Sequence, residues 1–446
     1  MRPAGHGETQ PRLDDDRLPI VLLVLDGLGD RPISELNGCT PAEAADTPNL
    51  DSLAASGSNG WHLPFGWGPA PASELAHWAM FGFHDVAFPG RAVLEGLGAG
   101  LDIPGHTTTM HASLRTSRRE QDRLWITGRV GKSDEADAEA LLIELQPLLA
   151  GLDVQLEPLG RGGEALLFAY GHASAAVTDS DPFFETFHPC LRPRPTHPDG
   201  QGLATTLDGV LRAARDGLLN SDTNATRHKR GLPPLDVLTT KWTGVRGDIP
   251  SFAEQIGVNG AAVTSTRLYQ GLAAALRMTS AHLPPINDLA EDLSARLDAA
   301  DELIADGARF VHVHTKATDE AGHTKNPHAK RDVLEAGDPG LARLGELAER
   351  SIVAVTGDHA TPSTHGILHT ADPTPLTIAG PTVRQDEVRE FGEWLARHGW
   401  YGRIRAEELM PLLLGHANRP AFLGHRITTH PVPALADAPE PLHFER

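Results

Sequence analysis

The chain has 446 residues, 40% hydrophobic and 22% charged, so it can bury large cores and two domains are expected. Its net charge of −20 disfavours a nucleic-acid-binding surface and an anionic membrane as partners, although a local site can still bind a small anion. The two cysteines, Cys39 and Cys190, are too few for a disulfide framework or a thiolate zinc cluster. The N-terminal residues lack the apolar centre of a signal peptide, and no run reaches membrane-helix length, which predicts a cytoplasmic protein.

The first predicted element is a buried strand. PIVLLVLDG (19–27) is a continuous run of Val, Ile and Leu closed by Asp26-Gly27, typical of a strand that is buried on both faces. Functional sites of α/β proteins form at the carboxyl ends of such strands. A helical pattern with capping residues and a terminal glycine follows over 40–57. SELAHWAMFGF (73–83) predicts the next helix, with Ser73 as a possible N-cap.

The character of the sequence changes over residues 104–257. Strand-like runs such as DRLWITGRV, EALLFAYGH and LDVLTTKW occur there with helical patterns at 133–151 and 202–219. A separate set of elements within a longer chain indicates an inserted domain, here of α/β type. We expect this domain to bind the substrate and to close over the site as a lid.

Strands and helices alternate again beyond the insertion. Strands are predicted at 308–314, 351–358 and 375–380, with a helix at 338–349 between the first two. Strand, helix and strand at this spacing predict a parallel sheet. The predicted organisation is a polar N-terminal tail (1–18), a core domain in two parts (19–103 and 258–446) and the inserted domain (104–257).

Acidic and imidazole side chains follow three of the predicted strands. Asp26 ends the first strand, and Asp358-His359 end another. KATDEAGH (316–323) follows the run FVHVH and places Asp319 and His323 four residues apart, on one face of a helix. Each group has an ordinary interpretation as a turn, a helix cap or a surface histidine. Neighbouring parallel strands share one carboxyl edge, however, so we expect these groups to converge there.

With His369, which lies ten residues beyond His359, the set offers three carboxylates and three imidazoles. Such a mixture suits two divalent ions that accept both oxygen and nitrogen ligands, with Mn²⁺ or Zn²⁺ as the expected cofactors. Two ions about 4 Å apart can clamp the attacking and leaving oxygens of an in-line phosphoryl transfer. A serine hydroxyl on one ion would supply the nucleophile.

Six stretches resemble, in chain order from about residue 19 to about 382, the archaeal-type branch of the cofactor-independent phosphoglycerate mutases, which belongs to the alkaline phosphatase superfamily. They are VLDGLGDRP, TPAEAADTPNLDSLAASG, SELAHWAMFGF, GRAVLEGLGAGL, KATDEAGH and TGDHATPSTHGILHTADPTPL. The resemblance implies an α/β fold with an alkaline-phosphatase-like core sheet, helices on both of its faces and an inserted α/β domain. It also implies that Ser73 is the phosphorylated nucleophile and that Lys316 contacts the phosphoryl group. In the implied ligand set, Asp319, His323 and His369 hold one metal, and Asp26, Ser73, Asp358 and His359 hold the other.

The chain departs from the family where the inserted domain grips the substrate. Trp125 and Ile126 stand about where an Arg-Arg pair is usual, an expected arginine-glycine pair reads Lys241-Trp242, and an expected asparagine reads Ser113. Tryptophan and isoleucine cannot replace bidentate arginine contacts, so we expect weak or absent phosphoglycerate mutase activity.

Basic side chains are the expected contacts for an anionic substrate. We expect Arg91 to approach from the core side and the others from across the cleft, with hinges at 104–108 (Pro104, Gly105) and 255–262 (Gly257, Gly260). The predicted substrate-binding residues are Arg91, Arg123, Arg129, Arg227 and Lys241.

The sequence therefore predicts a two-metal phosphotransferase that acts through a phosphoserine-type intermediate on a small phosphorylated or phosphonylated acid, with phosphoglycerate as the conservative substrate. One alternative is a phosphonyl or phosphoryl transferase of secondary metabolism that uses an activated, for example nucleotide-linked, donor. Another is a metal-dependent phosphatase or phosphodiesterase, in which water intercepts the phosphoserine. A metal-binding homologue without catalytic activity is the alternative from a different class.

Overall fold

The structure is a computed structural model that describes residues 17–182, 187–366, 368–421 and 437. Most of the predicted N-terminal tail (1–18) lies outside these described residues. The chain forms two compact units. Unit 1 combines the residues before 88 with those after 249, and unit 2 is Phe88–Ile249. Among the described helices, none is both long and apolar enough to cross a membrane.

The strands of the described residues are, in chain order, β1 (Ile20–Leu25), β2 (Ser58–His62), β3 (Thr108–Glu120), β4 (Arg123–Arg129), β5 (Val154–Pro158), β6 (Glu164–Ala169), β7 (His188–Pro189), β8 (Val237–Val245), β9 (Gly260–Thr264), β10 (Thr279–His282), β11 (Phe310–Thr315), β12 (Ile352–Thr356), β13 (Thr374–Ala379) and β14 (Gly402–Ile404).

The α-helices are α1 (Pro41–Ala44), α2 (Pro48–Ser56), α3 (Ser73–Met80), α4 (Arg91–Gly98), α5 (Glu135–Leu149), α6 (Gln201–Leu219), α7 (Asp222–Lys229), α8 (Phe252–Ile256), α9 (Arg267–Ala275), α10 (Leu289–Ala305), α11 (Ala317–His323), α12 (Pro327–Gly337), α13 (Arg343–Ala348), α14 (Glu393–Ala396) and α15 (Ala406–His416). Short 3₁₀ helices lie at Ser34–Leu36, Lys132–Asp134, Ala150–Leu152, Pro198–Gly200 and Asp338–Leu341.

Unit 1 is built on an eight-stranded sheet with the order β10-β9-β11-β1-β12-β13-β2-β14. The β1 strand lies between β11 and β12 and runs parallel to both, with Leu25 beside Thr315 and Val24 beside Thr356. All six residues of β1 are buried, as its unbroken aliphatic sequence predicts for a central parallel strand. The segments that follow these three strands therefore begin at the same edge of the sheet.

Helices cover both faces of this sheet, and the two faces differ in chemistry. On one face, Val21 and Leu23 belong to an aliphatic core that includes Leu50 of α2 and Leu297 of α10. On the other face lies an aromatic cluster, in which the Phe81 ring packs 5.6 Å from Phe310 and 6.3 Å from Phe252. Burying each large apolar side chain contributes roughly 1.5–3 kcal/mol, so both layers hold the sheet edge in place.

The strand predicted at 375–380 forms β13, but it pairs antiparallel with β12 rather than continuing the parallel sheet. The reason is the connection between the two strands. A parallel return requires a crossover, usually a helix, whereas the described residues between β12 and β13 (357–366 and 368–373) form no helix and lie at the functional edge of the sheet.

Two predicted helices are interrupted in the structure. The pattern over 40–57 forms α1 and α2, because Pro48 disfavours helical backbone at Thr47 and begins a second helix. The helix predicted at 338–349 begins as the 3₁₀ turn Asp338–Leu341 and continues as α13.

Unit 2 carries a six-stranded sheet with the order β5-β6-β3-β4-β7, in which β8 also pairs with β3. Its strand pairs are antiparallel. The helices α5 and α6, predicted at 133–151 and 202–219, cover one face through Leu141, Leu145 and Leu207.

The boundaries between the units differ from those predicted. The first falls at 87/88 rather than 103/104, because α4 buries Ala92 and Val93 against Ile103 and Leu166 of unit 2. The second falls at 249/250 rather than 257/258.

The predicted hinges therefore lie within the units. Residues 104–108 belong to unit 2, and 255–262 belong to unit 1. There Gly257 is the left-handed C-cap of α8, with φ of 87°, and Gly260 begins β9.

Candidate metal centre

The functional edge of the unit 1 sheet collects side chains from three segments of the chain. Asp26 follows β1, and Asp358 and His359 follow β12. Asp319 and His323 lie on α11, directly after β11. The structure thus brings together the groups predicted to converge at the carboxyl ends of parallel strands.

The first cluster consists of Asp319, His323 and His369, whose ligand atoms all lie within 4.8 Å of one another. Asp319 Oδ1 is 3.2 Å from His323 Nε2 and 3.7 Å from His369 Nε2. Thr361 Oγ1 donates a hydrogen bond of 2.7 Å to the same carboxylate oxygen, and His369 Nδ1 lies 3.2 Å from the carbonyl of Pro71. Burial, followed by repulsion from His359, lowers the pKa of His369 to about 4, which favours the neutral imidazole that binds metals.

The second cluster surrounds His359 Nε2. This atom lies 2.9 Å from Ser73 Oγ and 3.4 Å from both Asp26 Oδ1 and Asp358 Oδ2. Asp26, His359 and Asp319 also have ligand atoms within 4.8 Å of one another, so Asp319 lies between the two clusters.

The acidic groups of this cluster are close enough to alter one another's protonation. Burial and the charge of Asp26 raise the pKa of Asp358. Burial opposes the protonation of His359, but Asp358 and Asp26 together raise its pKa to about 9. A buried group of carboxylates at this spacing requires positive charge for stability.

Several buried atoms at this edge have no hydrogen-bond partner among the described residues: Asp26 Oδ1, Asp358 Oδ2 and His369 Nε2. Leaving a buried polar atom unpaired is costly, so three such atoms in one place indicate a binding site for a positively charged ligand. Carboxylate oxygens and a neutral imidazole nitrogen are ligands for divalent ions such as Mn²⁺ or Zn²⁺. The residues present therefore fit a metal centre.

Asp26 is oriented by contacts to its second oxygen, Oδ2. This oxygen accepts hydrogen bonds from Tyr269 Oη (3.0 Å) and Lys316 Nζ (3.0 Å), and it lies 2.9 Å from His314 Nε2. Burial opposes ionisation, but Lys316 and His314 hold the pKa of Asp26 well below its usual range. These contacts leave Oδ1 directed to the metal centre, as outer contacts to metal ligands commonly do.

Sequence reasoning missed Tyr269 and His314. A signal was present, because FVHVH places two histidines inside a strand that is otherwise apolar. Buried histidines in a strand that ends at a site need polar partners, and His314 finds one in Asp26.

Lys316 is the N-cap residue of α11 and lies between two carboxylates. Its Nζ is 2.7 Å from Asp319 Oδ2 and 3.0 Å from Asp26 Oδ2. Despite partial burial, the charges of Asp26 and Asp319 raise its pKa, so the ammonium is retained.

Ser73 is buried and is the first residue of α3, whose N-cap is Ala72. The prediction of Ser73 as an N-cap is wrong, because its hydroxyl contacts His359 and does not cap the helix. His77, one turn later, lies with Nδ1 2.8 Å from the Ser73 carbonyl and fixes this first turn.

Two of the predicted substrate-binding residues are placed differently from expectation. Arg227 is fully buried and donates to Asp134 Oδ1 and Asp137 Oδ2, both at 2.8 Å, and to the Pro233 carbonyl. Its donors thus serve the packing of α7 against α5, so it does not present a guanidinium to a ligand. Arg91 begins α4 in unit 2 rather than in the core.

The remaining basic residues lie on the strands of unit 2. Arg123 and Arg129 are exposed at the two ends of β4, and Lys241 is buried on β8 beside His111 of β3. Arg115, which sequence reasoning did not single out, is buried and donates a hydrogen bond of 3.0 Å to Asp181.

Known proteins resemble the chain over most of its length. The sequence profile of the metalloenzyme superfamily matches residues 18–416. The 2,3-bisphosphoglycerate-independent phosphoglycerate mutase 2 of Methanocaldococcus jannaschii is 32% identical over 417 residues, which are 91% of this chain and 95% of that protein. A 2,3-bisphosphoglycerate-independent phosphoglycerate mutase from Thermococcus kodakarensis is 33% identical over 412 residues, covering 91% and 98% of the two chains.

Solved structures agree with these sequence matches. A Pyrococcus horikoshii protein gives a TM-score of 0.73 at 29% identity and covers 90% of this chain and 98% of its own. The cofactor-independent phosphoglycerate mutase of Thermoplasma acidophilum gives a TM-score of 0.60 at 29% identity. This match covers 90% of this chain and 99% of that protein.

The family resemblance carried by the sequence motifs and the predicted α/β fold class are thereby confirmed. The chain belongs to the archaeal-type cofactor-independent phosphoglycerate mutases of the metalloenzyme superfamily, and it is a metal-dependent enzyme of the phosphotransferase and mutase class.

Proposed function

We propose that the enzyme is a two-metal phosphotransferase that moves a phosphoryl group through Ser73 on a small phosphorylated acid. The observation that carries this proposal is the position of Ser73 Oγ, which is 2.9 Å from His359 Nε2 at the sheet edge where carboxylate oxygens are buried without partners. A serine in this position can attack a phosphorus atom held at the same centre. Because the relatives are named phosphoglycerate mutases, phosphoglycerate is the first substrate to test.

The proposed ligand sets follow the two clusters. Mn²⁺ and Zn²⁺ suit these mixed donors, with Asp319, His323 and His369 holding one ion and Asp26, Ser73, Asp358 and His359 the other. Ions bound there would neutralise the phosphoryl charge and favour the ionised serine hydroxyl.

The protein side chains have separate tasks in this reaction. Ser73 Oγ loses its proton and forms a bond to phosphorus, while the ester bond to the substrate oxygen breaks and that oxygen gains a proton. In the second half, a hydroxyl of the acid loses its proton and bonds to phosphorus, while the bond between phosphorus and Ser73 Oγ breaks and Oγ regains a proton. Lys316 stays charged and supplies a compact positive charge for the phosphoryl oxygens.

The identity of the acid that accepts the phosphoryl group is a separate question. Lys241-Trp242 replaces the arginine-glycine pair expected from the family motifs, so a related phosphorylated or phosphonylated acid is the second candidate to phosphoglycerate. The enzyme loaded with Mn²⁺ should be assayed for conversion of 3-phosphoglycerate to 2-phosphoglycerate, beside hydrolysis of 4-nitrophenyl phosphate. Hydrolysis that stops on chelation, with weak mutase activity, is the expected result. Undiminished hydrolysis after chelation would overturn the proposed chemistry, and robust mutase activity would make phosphoglycerate the substrate.

The metal content of two matched variants tests the proposed metal ligands. Asp319→Asn should lower the bound metal per chain measured by elemental analysis, because Asp319 lies in both clusters. Asp372→Asn is the control, since this carboxylate pairs with Arg31 2.6 Å away and belongs to neither cluster. Equal metal content in the two variants would contradict the ligand assignment.

A further inference from the structure

The α5 helix carries apolar side chains on more than one face. Leu141, Leu145 and Leu149 form its buried face and pack in the core of unit 2. Ile143 and Leu148 lie outside this face, and they are 55% and 52% exposed. A surface helix normally confines its apolar residues to the stripe that packs on the core. Large apolar side chains that lie outside this stripe and border a groove indicate a binding surface.

A groove of about 730 Å³ lies between α5, the C-terminal half of α6 and the start of α7. Its apolar lining includes Leu145 and Leu148 of α5 and Ala213 and Leu218 of α6. Leu148 packs closely on α6, since a Cβ added to Gly217 would lie 2.5 Å from Leu148 Cδ1. This half-exposed leucine is thus held at the junction of the two helices, where it offers an apolar contact to a partner in the groove.

The charged residues of the groove are all acidic. Three carboxylates line it, one from each helix, and no lysine or arginine is among its described lining residues: Glu144, Asp216 and Asp222. Glu144 accepts a hydrogen bond from Thr223, whereas Asp216 and Asp222 are exposed. None of the three carboxylates forms an ion pair with another residue in the described part of the chain. Charges of one sign beside an apolar groove are complemented by a partner that carries the opposite sign.

We propose that this groove docks a basic amphipathic helix of a partner protein. The apolar side of that helix packs on Leu148 and the lining around it, and its lysines or arginines lie beside Glu144, Asp216 and Asp222. The junction of two packed helices accepts the side-chain ridges of a third helix, as in other helix-in-groove complexes. A second copy of this chain is disfavoured, because an acidic groove and a net charge of −20 would bring like charges together.

The test uses the full-length protein and a fluorescein-labelled peptide of leucine, alanine and lysine, patterned as an amphipathic helix about five turns long. A scrambled peptide of the same composition is the control, because it has the same charge but no apolar side. We expect saturable binding of the patterned peptide, measured by fluorescence anisotropy, and binding of the scrambled peptide that is weaker by about tenfold or more. Equal binding of the two peptides would overturn the proposal, since it would reflect only attraction to the net charge of the protein.

Matched variants test the apolar and the acidic contacts separately. Leu148→Gln and Asp216→Lys should each weaken binding of the patterned peptide by about tenfold or more. The control for the first is Leu232→Gln, because Leu232 is a partly exposed leucine of unit 2 that lies outside the groove. The control for the second is Asp199→Lys, since Asp199 is an exposed acid of unit 2 outside the groove. Wild-type affinity in both groove variants would refute the docking site.

Hydrogen exchange locates the bound peptide. Slower amide exchange is expected within residues 141–148 and 213–222, and protection confined to another part of the chain would contradict the site. Sedimentation of the protein alone tests the competing occupant: a dimer that Leu148→Gln dissociates would overturn the proposal in favour of a second copy. These measurements are read without turnover, so their outcome is independent of the proposed phosphoryl transfer through Ser73.

Discussion

The two carboxylate oxygens of Asp26 have different contacts, and this difference determines which oxygen faces the candidate metal centre. Oδ2 contacts Tyr269, His314 and Lys316, while Oδ1 has no hydrogen-bond partner among the described residues. The carboxylate is thus held in one orientation with a single oxygen available to a metal ion.

Tyr269→Phe tests this orientation without removing the ring. The variant loses the hydroxyl that donates to Asp26 but keeps the packing of the ring 4.8 Å from His77. We expect Mn²⁺ affinity, measured by calorimetry on the chelator-treated enzyme, to fall about 10- to 100-fold. Tyr401→Phe is the control, because its hydroxyl contacts His416 instead. Equal affinities in the two variants would show that Tyr269 has no orienting role.

Lys241 gives a pH prediction for anion binding. Burial, followed by repulsion from Arg115, lowers its pKa to about 8, with Arg129 opposing the charge and Asp181 and Glu164 supporting it. The ammonium is therefore present below pH 8 and lost as the pH rises through 8. Affinity for 3-phosphoglycerate, measured by calorimetry, should fall above pH 8, approaching about tenfold per pH unit. Lys241→Met should be flat over this range, and a flat wild-type profile would exclude Lys241 as a binding charge.

The α12 helix ties the loops of the metal centre together through Lys330. This fully buried ammonium donates to the Gly29 carbonyl (2.8 Å), the Thr361 carbonyl (2.9 Å) and Asp30 (3.2 Å). Thr361 in turn contacts Asp319 and lies 3.1 Å from His359 Nδ1. A single side chain thereby links the loop after β1 to the loop after β12.

Lys330→Met should destabilise unit 1 strongly. The variant leaves Asp30 buried without its cation, for which a loss of about 3–5 kcal/mol is typical. Chemical denaturation measures this change in unfolding free energy. Arg331→Met on the same helix is the control, because its pair with Asp332 is surface-exposed and should contribute less than about 1 kcal/mol. A loss near that of Arg331→Met would mean that Lys330 is not part of the structural link.

The elements that sequence could predict are those with strong local signals. The β1 run and the ends of β11 and β12 carry their acids at fixed positions, so their convergence follows from parallel pairing. The antiparallel direction of β13 could not be predicted from the sequence of the strand itself, because it depends on the loop that precedes it. The assignment of α4 to unit 2 likewise depends on its burial against Ile103 and Leu166, contacts that no local pattern records.

Side-chain contacts were hardest to predict where the partner is distant in sequence and no strand end or motif marks it. Asp319 and His323 lie four residues apart on one helix, so their spacing alone predicted that the two side chains share a face. Arg227 was expected to bind the anionic substrate as a basic side chain of the inserted domain, but its partners Asp134 and Asp137 lie far away in sequence. The contacts of Tyr269 with Asp26 span 243 positions and became visible only in the fold.

The folded chain and its metals should be thermodynamically linked. A divalent ion that binds only the native state stabilises it, by about 2.7 kcal/mol at a free concentration of one hundred times Kd. Chelation should therefore lower the melting temperature seen by scanning calorimetry, and added Mn²⁺ should restore it. Asp319→Asn should show a reduced response. An unchanged melting temperature on chelation and reloading would contradict a native two-metal centre.

Direct detection of a phosphoenzyme tests whether Ser73 carries the transferred group. The Mn²⁺-loaded enzyme is mixed with 4-nitrophenyl phosphate, which requires no particular acceptor, quenched in acid and analysed by peptide mass spectrometry. We expect one phosphoryl group on the peptide that contains Ser73, and none in a Ser73→Ala variant that still binds metal. Phosphorylation at another residue, or undiminished ester hydrolysis by Ser73→Ala, would contradict it.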